Sequence, residues 1–209
     1  MASNSAAEGV SMGDDYEALI ATTDAELLKR AWRNEKAAPE ILRYESDLVS
    51  RVKKEETVEE KSSGGTNPLS VSLYQMDLDR TLFLLRSYLR IRIQKIEKFV
   101  FHIQKTEELW NRLSKDEKDF AKACENDLKQ HLDESVLLKL PKDYKSVLRQ
   151  SSMSEEDDMV PEPQLDTFVL CRSKEYLTGI QLEDGPVDDR SKLFEMEPGV
   201  LHFICYKSI

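Results

Sequence analysis

A chain of 209 residues provides enough material for one large domain or two small ones, and we expect two of unequal size. Its net charge of −10 argues against strong nonspecific nucleic-acid binding by the whole molecule, since such binding needs basic residues that displace counterions from phosphates. The three cysteines, Cys124, Cys171 and Cys205, are odd in number and lack C-x-x-C spacing. They predict neither a disulfide framework nor a zinc site, and they favour a reducing compartment.

The chain also lacks the sequence features of a membrane or secreted protein. No apolar run approaches the ~20 residues that cross a bilayer, and the first twenty residues lack the basic-then-apolar order of a secretory signal. We therefore expect a soluble intracellular protein with no membrane association. The absence of a basic localisation cluster does not exclude the nucleus, because a subunit can be imported with its partners.

The first 22 residues are rich in Ala, Ser, Gly and acidic residues, which predicts a disordered N-terminal tail over residues 1–22. Within it, residues 14–20 combine acidic and apolar side chains. Two interpretations stay open for this cluster. It either folds as a short helix into a partner's groove or forms a frayed lead-in to the first helix.

A helical domain is predicted over residues 23–148. Its first helix begins at Thr23, because Thr23 and Glu26 have capping-box spacing, and ends near Ala38, because Pro39 disfavours helical geometry in the residue before it. Pro39 then suits the first position of a second helix. The apolar side of that helix comprises Ile41, Leu42, Leu48, Val49 and Val52. Residues 53–68 predict helix fraying into a flexible loop.

A long central helix is predicted from Leu69 to about Gln104, on the basis of apolar residues at spacings of three and four. The main stripe, which we interpret as the domain's own core, comprises Leu78, Leu82, Leu85, Leu89, Ile93, Ile96, Val100 and Ile103. A second stripe comprises Leu84, Tyr88, Ile91 and Phe99. The combined arc is wider than a helix with a single neighbour needs, which indicates burial on more than one side.

The second half of this helix is basic, with only Glu97 to oppose its cations. The basic residues are Arg86, Arg90, Arg92, Lys95 and Lys98. They do not form one clean stripe. Pairing with acidic groups of neighbouring helices is the favoured interpretation, and contact with DNA is the alternative.

A fourth helix is predicted from Ser114, where Ser114 and Glu117 again have capping-box spacing. Four helices with short connections argue for a bundle. Residues 149–163 then form an acidic linker bounded by proline, and beyond it the apolar period changes to two. The fold class is therefore mainly α, with an N-terminal helical bundle domain and a small C-terminal β-rich domain over residues 164–209. In the linker, Ser152 and Ser154 have acid three residues onward, a pattern that favours an acid-directed kinase.

The sequence lacks the motifs of the common catalytic and metal-binding sites. It has no phosphate-binding glycine loop, and His102, His131 and His202 are scattered without ligand spacing. The cysteines look like small buried hydrophobes. We therefore predict no enzyme, and no catalytic, cofactor-binding or metal-binding residues.

Two long ungapped segments carry a family resemblance. Residues 31–42, AWRNEKAAPEIL, and residues 87–99, SYLRIRIQKIEKF, resemble the most recognisable segments of the Sld-type subunit of the eukaryotic GINS complex. The order of helical domain, acidic linker and terminal β domain matches that subunit. The resemblance covers most of residues 23–209.

The resemblance implies a non-enzymatic scaffold subunit in the nucleus. Its partners would be three sister GINS subunits and, through the complex, the MCM motor ring and its helicase cofactor, with only indirect or weak DNA contact. The partner interface that it implies comprises Trp32, Tyr88, Arg90, Arg92, Lys95, Phe99, Phe203 and Tyr206. The alternative is a stand-alone helical DNA-binding module that uses the basic patch from Arg86 to Lys98.

Overall fold

The computed structural model of the chain describes residues 23–59, 67–151, 153–154, 156–180 and 194–208. The helices in this part are α1 (Asp24–Ala37), α2 (Ser46–Glu59), α3 (Pro68–Lys98), α4 (Val100–Lys105), α5 (Glu107–Asn111) and α6 (Lys115–Ser135). The strands are β1 (Phe168–Arg172), β2 (Leu177–Ile180), β3 (Phe194–Met196) and β4 (Leu201–Cys205). Short 3₁₀ turns cover Leu137–Lys139, Lys142–Tyr144 and Tyr206–Ser208. The predicted fold class, mainly α with a small β-rich C-terminal part, is confirmed.

The chain divides into two compact units. The first comprises Met1–Arg33 and Glu45–Tyr88, and the second comprises Asn34–Tyr44 and Leu89–Ile209. Helices α1 and α3 therefore have residues in both units. The predicted N-terminal tail and the loop over residues 60–66 lie outside the described residues.

In the first unit, α1 and α2 are joined by a charged contact between Arg51 and Asp24, whose Nη2 and Oδ1 atoms are 2.8 Å apart. The hydroxyl of Tyr88 accepts a hydrogen bond from the backbone N–H of Glu45 at 3.3 Å. The buried apolar side chains of this unit are Leu28, Leu48, Val49, Val52, Leu85 and Tyr88.

The second unit has a continuous apolar core that draws on α3 to α6. Its buried members are Ile41, Ile96, Phe99, Val100, Ile103, Leu109, Leu113 and Ala121, with Phe101, Trp110 and Leu128 packed against them. Burial of these side chains is the main force that holds the helices together. Among the main-stripe residues, Ile93 differs from the prediction because 41% of its surface is exposed.

Both predicted helix starts based on capping residues are confirmed. The Thr23 hydroxyl accepts from the backbone N–H of Glu26 at 3.4 Å, and α1 begins at the next residue. At α6 the capping box is complete, because Ser114 Oγ accepts from Glu117 N at 3.2 Å and Glu117 Oε2 accepts from Ser114 N at 2.9 Å.

The predicted second helix start at Pro39 is wrong. Residues 38–45 are not helical, and α2 begins only at Ser46. The predicted central helix is also not continuous, since α3 ends at Lys98 and α4 begins at Val100. Between them Phe99 has φ −117° and ψ 27°, which lies outside the α region, although its N–H still donates to Lys95 O at 2.9 Å.

The β-rich part contains two antiparallel two-stranded sheets. Strand β1 pairs with β4, so that Leu170 lies opposite Phe203 and Cys171 opposite His202. Strand β2 pairs with β3, with an irregularity before Ile180 where Gly179 has φ +83°. That left-handed conformation favours glycine. The predicted change to an apolar period of two after residue 163 is therefore matched by strands β1 to β4.

Candidate functional site

The segment between α1 and α2, residues 38–44, is a non-helical strap that other residues of the second unit hold in place. Three consecutive strap carbonyls, those of Glu40, Ile41 and Leu42, accept hydrogen bonds from side-chain cations. In that order the donors are Lys95 Nζ at 2.8 Å, Arg112 Nη1 at 3.1 Å and Arg92 Nη1 at 2.7 Å. Because these carbonyls are satisfied by cations, the strap does not need the internal hydrogen bonds of a helix.

Arg92 is the central residue of this arrangement, and its side chain is 0% exposed. Its Nη1 donates to Glu35 Oε2 at 2.9 Å, while Nε and Nη2 donate to the two carboxylate oxygens of Glu117 at 2.6 and 3.0 Å. Its other N–H groups reach Leu42 O at 2.7 Å and Arg112 O at 3.3 Å. All five guanidinium donors are therefore used, which is the condition under which a buried arginine is tolerated.

Lys95 supports the same acidic group one turn along α3. Its Nζ lies 2.8 Å from Glu35 Oε1 and also donates to the carbonyl of Glu35. Burial lowers the pKa of Lys95, and the neighbouring Glu35 carboxylate opposes that shift. The favoured sequence interpretation, that basic residues of this helix pair with acidic groups of neighbouring helices, is confirmed for Arg92 and Lys95, whose partners Glu35 and Glu117 lie on α1 and α6.

A second charged cluster joins the strap to the C-terminal end of the chain. Glu40 Oε1 accepts from Arg112 Nη1 at 2.8 Å and from the hydroxyl of Tyr206 at 2.9 Å. Arg112 also pairs with Glu108 one helical turn earlier. Burial and the Glu40 hydrogen bond raise the pKa of Tyr206 well above its ordinary value. The arrangement tethers the end of β4 to the strap.

Several of the proposed partner residues lie inside the chain. The chain itself buries Tyr88, Arg92 and Phe99. The ammonium group of Lys95 donates to Glu35 and Glu40, and the Lys95 side chain is largely buried. The expectation that the second stripe faces partners therefore does not fit the packing of Tyr88 and Phe99. Both side chains are buried, so the buried surface of the helix includes part of the second stripe as well as the main stripe.

The other predicted partner residues are at least partly accessible. Arg90 is exposed, and Tyr206 is half-buried. Trp32 is half-buried and lines a groove of about 490 Å³ within the first unit, together with Lys29 of α1 and Phe83 of α3. Phe203 is 67% exposed. All four side chains are therefore accessible to a partner at least in part.

Phe203 belongs to an exposed apolar patch on one face of the β1–β4 sheet. We call it the outer strand face, and it comprises Phe168, Leu170, Leu201 and Phe203. The rings of Phe168 and Phe203 stack with centroids 5.2 Å apart and planes at 22°. The opposite face carries Val169, Cys171 and Ile204, which line a cleft of about 610 Å³ beside Ala38 and Leu42. Each of the four side chains of the outer strand face keeps more than half of its surface exposed in the described chain, which is typical of a surface that a partner covers.

A second exposed apolar patch lies on the N-terminal half of α3, and sequence reasoning missed it. We call it the α3 patch, and it comprises Leu69, Leu73, Met76 and Phe83. Their spacings of four, three and seven place them on one side of the helix. That periodicity was readable from the sequence as a third stripe outside the two that were identified.

Sequence reasoning also missed the acidic partners of the strap network. Glu35 and Glu117 lie 57 and 25 positions from Arg92, and Glu40 lies 72 positions from Arg112, so no local pattern joins these pairs. The capping role of Glu117 was predicted, and its second role toward Arg92 was not.

No group of three or more His, Cys, Asp or Glu side chains is placed to hold a metal ion in the part of the chain that the structure describes. Within the same residues, no helix is both long enough and apolar enough to span a membrane.

Comparison with known proteins places the chain in a family. Residues 43–136 match the family model described as GINS complex protein helical bundle domain, and residues 163–209 match the model described as DNA replication complex GINS protein SLD5 C-terminus. A protein of Arabidopsis thaliana named DNA replication complex GINS protein SLD5 is 58% identical over 100% of this chain and 94% of its own length. The human protein of that name is 32% identical over 91% of this chain and 86% of its own. The fission yeast protein, from Schizosaccharomyces pombe, is 34% identical over 71% of each. The chain belongs to the SLD5 family of DNA replication complex GINS proteins.

Proposed function

We propose that this chain is a non-catalytic scaffold subunit of a heterotetrameric GINS assembly that supports the replicative helicase in the initiation and elongation of DNA replication. Its direct partners are three sister GINS subunits, and through the complex it reaches the MCM motor ring and its helicase cofactor. The assembly acts in the nucleus. Relatives named as DNA replication complex GINS proteins, similar along nearly the whole chain, support this proposal.

The observation that carries the proposal is the outer strand face. Leu170 and Phe203 are each 67% exposed and lie directly opposite each other in the β1–β4 register. Full burial of one such side chain contributes about 1.5–3 kcal/mol, so a partner that covers the patch gains a substantial free energy. The patch also contains the stacked rings of Phe168 and Phe203, and aromatic side chains are enriched at protein interfaces.

The α3 patch supports the same proposal from the first unit. Its large apolar side chains follow one side of a helix, and a helix of that kind packs well against a helix of another subunit. Two separate apolar patches on one chain suit a subunit that contacts more than one partner.

Coexpression with the three sister subunits tests the proposal. We expect a stoichiometric complex by gel filtration with light scattering, and we expect the double variant Leu170→Asp, Phe203→Asp to be lost from it. The variant introduces charge into surface that the partner would have to desolvate. Circular dichroism of the isolated variant should be unchanged, because both positions are exposed in the chain by itself.

Gln164→Asp serves as the matched control, since it adds a negative charge at an exposed position outside the patch. It should assemble like the unmodified protein. If the double variant assembles equally well, the outer strand face is not the assembly surface. A chain that stays monomeric with all three sister subunits present argues against the scaffold role itself.

A stand-alone DNA-binding module is not supported by the packing of the basic patch. Arg92 and Lys95 donate their hydrogen bonds to other residues of the chain. The exposed cations of the basic patch are then Arg86, Arg90 and Lys98. We propose that DNA contact is indirect or weak. Each phosphate contact adds about one unit to the slope of log binding constant against log salt concentration. Fluorescence anisotropy should therefore show that the isolated chain binds DNA weakly and with a shallow salt dependence.

A further inference from the structure

The linker after the helical domain contains a turn closed by its own polar contacts. The N–H of Met159 donates to Leu148 O at 3.1 Å, and the N–H of Gln150 donates to Asp158 Oδ1 at 2.8 Å. The described part of this turn therefore has a defined shape on which a chemical modification can act.

The hydroxyl of Ser154 lies inside this turn. Its Oγ is 3.1 Å from Glu156 O and 3.2 Å from Asp158 Oδ2, and the side chain is half-buried. In the sequence, Ser154 is followed by four consecutive acidic residues, Glu155 to Asp158. A kinase whose peptide groove is basic selects a serine in that setting, since carboxylates after the acceptor pair with the groove.

Cations border the same turn. Asp157 lies 2.8 Å from Lys105 Nζ and 3.0 Å from Arg149 Nε, and these two cations lower the pKa of its carboxyl. Arg149 Nη1 also donates to the carbonyl of Ser154 at 3.4 Å. The guanidinium is therefore close to any group attached to the Ser154 hydroxyl.

Arg149 also belongs to a basic depression beside the turn. The depression measures about 460 Å³ and is lined by Lys142, Asp143, Lys145 and Arg149, with the hydroxyl residues Ser146 and Ser151. Three cations against one carboxylate give this concave surface a positive charge in a chain of net charge −10, which suits an anion. It is an observation independent of the acidic run, and it points to a phosphate as the ligand.

We propose that Ser154 is the acceptor of an acid-directed protein kinase and that its phosphate takes Arg149 away from Asp157. In the transfer, Ser154 Oγ forms a bond to the γ-phosphorus of Mg–ATP held by the kinase. The bond from that phosphorus to the bridging oxygen breaks, ADP leaves with the electron pair, and the hydroxyl proton passes to a base of the kinase.

The product has a different set of contacts. A phosphoserine carries a charge of about −1.5 to −2 at neutral pH and no longer donates a proton to Asp158. Repulsion between the phosphate and the Asp158 carboxylate weakens the bond that closes the turn at Gln150. Arg149 gains a bidentate partner, while Asp157 keeps Lys105. Phosphorylation therefore weakens the hydrogen bond between Gln150 and Asp158 and strengthens the contact between Arg149 and residue 154.

Phosphorylation of the full chain by a purified acid-directed kinase with ATP tests the site. Mass spectrometry should place phosphate on Ser154, and Ser154→Ala should remove it. Asp157→Asn should slow incorporation about tenfold, the value of one hydrogen bond to a charged group. Lys105→Gln is the matched control, because it breaks one of the two ion pairs of Asp157 and keeps the carboxylate that the kinase recognises. It should not slow incorporation.

A second measurement tests the exchange of partners. In ³¹P NMR titrations, Arg149 should lower the second phosphate pKa below its ordinary value of about 6, and Arg149→Gln should return it to that value. Amide exchange of Gln150 should become faster on phosphorylation. Phosphate only on Ser152, or no incorporation at all, overturns the site, and a phosphate pKa that Arg149→Gln leaves unchanged overturns the exchange. None of these outcomes depends on assembly with sister subunits, so they are separable from the proposed function.

Discussion

Tyr206 and Glu40 are joined by a hydrogen bond of 2.9 Å although they lie 166 positions apart in the sequence. The bond attaches the end of the last strand to the strap, and the strap is in turn held by the cations of α3 and by Arg112. The C-terminal β part and the helical segments of the second unit therefore share one polar network.

The first prediction removes this hydroxyl alone. Tyr206→Phe should lower the free energy of unfolding by about 0.5–1.5 kcal/mol, the net value of one hydrogen bond, because Glu40 keeps Arg112 as its partner. Urea denaturation measures the change. Tyr176→Phe provides the comparison, since its hydroxyl also bonds a glutamate, Glu195, on an exposed surface. An equal loss in both variants would mean that the Tyr206 contact has no special place in the fold.

The second prediction concerns alkaline pH. The pKa of Tyr206 is raised above 10.0 in the folded chain, chiefly by burial and then by Glu40. Above pH 10 the unfolded chain loses this proton while the folded chain keeps it, so the folded state binds more protons and stability falls as pH rises. The stability difference between the unmodified protein and Tyr206→Phe should be constant below pH 10 and shrink above it. Thermal melts across that range measure it, and a difference that grows with pH would contradict the assignment.

The third prediction tests the buried ion pair. Arg92→Met should destabilise the chain by about 3–5 kcal/mol, because it leaves the carboxylate of Glu117 buried without its main cationic partner. The Glu35 carboxylate still has Lys95 as a cationic partner, so its burial contributes less to the loss of stability. The matched control is Arg90→Met on the exposed side of the same helix, where a change within about 0.5 kcal/mol is expected. Similar losses in the two variants in guanidinium denaturation would show that the effect of Arg92→Met does not come from the buried contacts of Arg92, since Arg and Met have nearly equal helix propensity.

Combining Arg92→Met with Glu117→Gln sharpens this test. Neutralising Glu117 removes the buried unpaired charge, so the double variant should be more stable than the sum of the two single effects allows. An additive result would mean that the two side chains do not interact in solution.

The periodicity of the sequence predicted the helices and strands well, because apolar spacing and capping residues act locally. The capping box at Ser114 and the change to a period of two after the linker are both local signals, and the structure has the capping box and strands β1 to β4 at these places. Such features need no knowledge of which segments meet.

Long-range pairing accounts for what the sequence could not predict. Pro39 suits a helix start, yet residues 38–44 are not helical, and cations from distant positions satisfy three of their carbonyls. The same pairing drew Arg92 and Lys95 into the chain when the pattern alone allowed either internal pairing or DNA contact. Nothing within a few residues of either cation identifies Glu35 or Glu117 as its partner.

The last prediction tests which side of the basic half of α3 faces the core. Ile96 is 0% exposed and Ile93, three positions earlier, is 41% exposed, although both belong to the main stripe. Ile96→Ala should cost about 2–5 kcal/mol through lost burial and the cavity that it leaves. Ile93→Ala should cost much less, because its side chain already contacts solvent. Urea denaturation of the two variants compares them with the same chemical change in the same helix. If Ile93→Ala costs as much as Ile96→Ala, Ile93 is covered in solution, either by the chain itself or by a second copy. Urea denaturation at several protein concentrations separates these two cases, because only association depends on protein concentration.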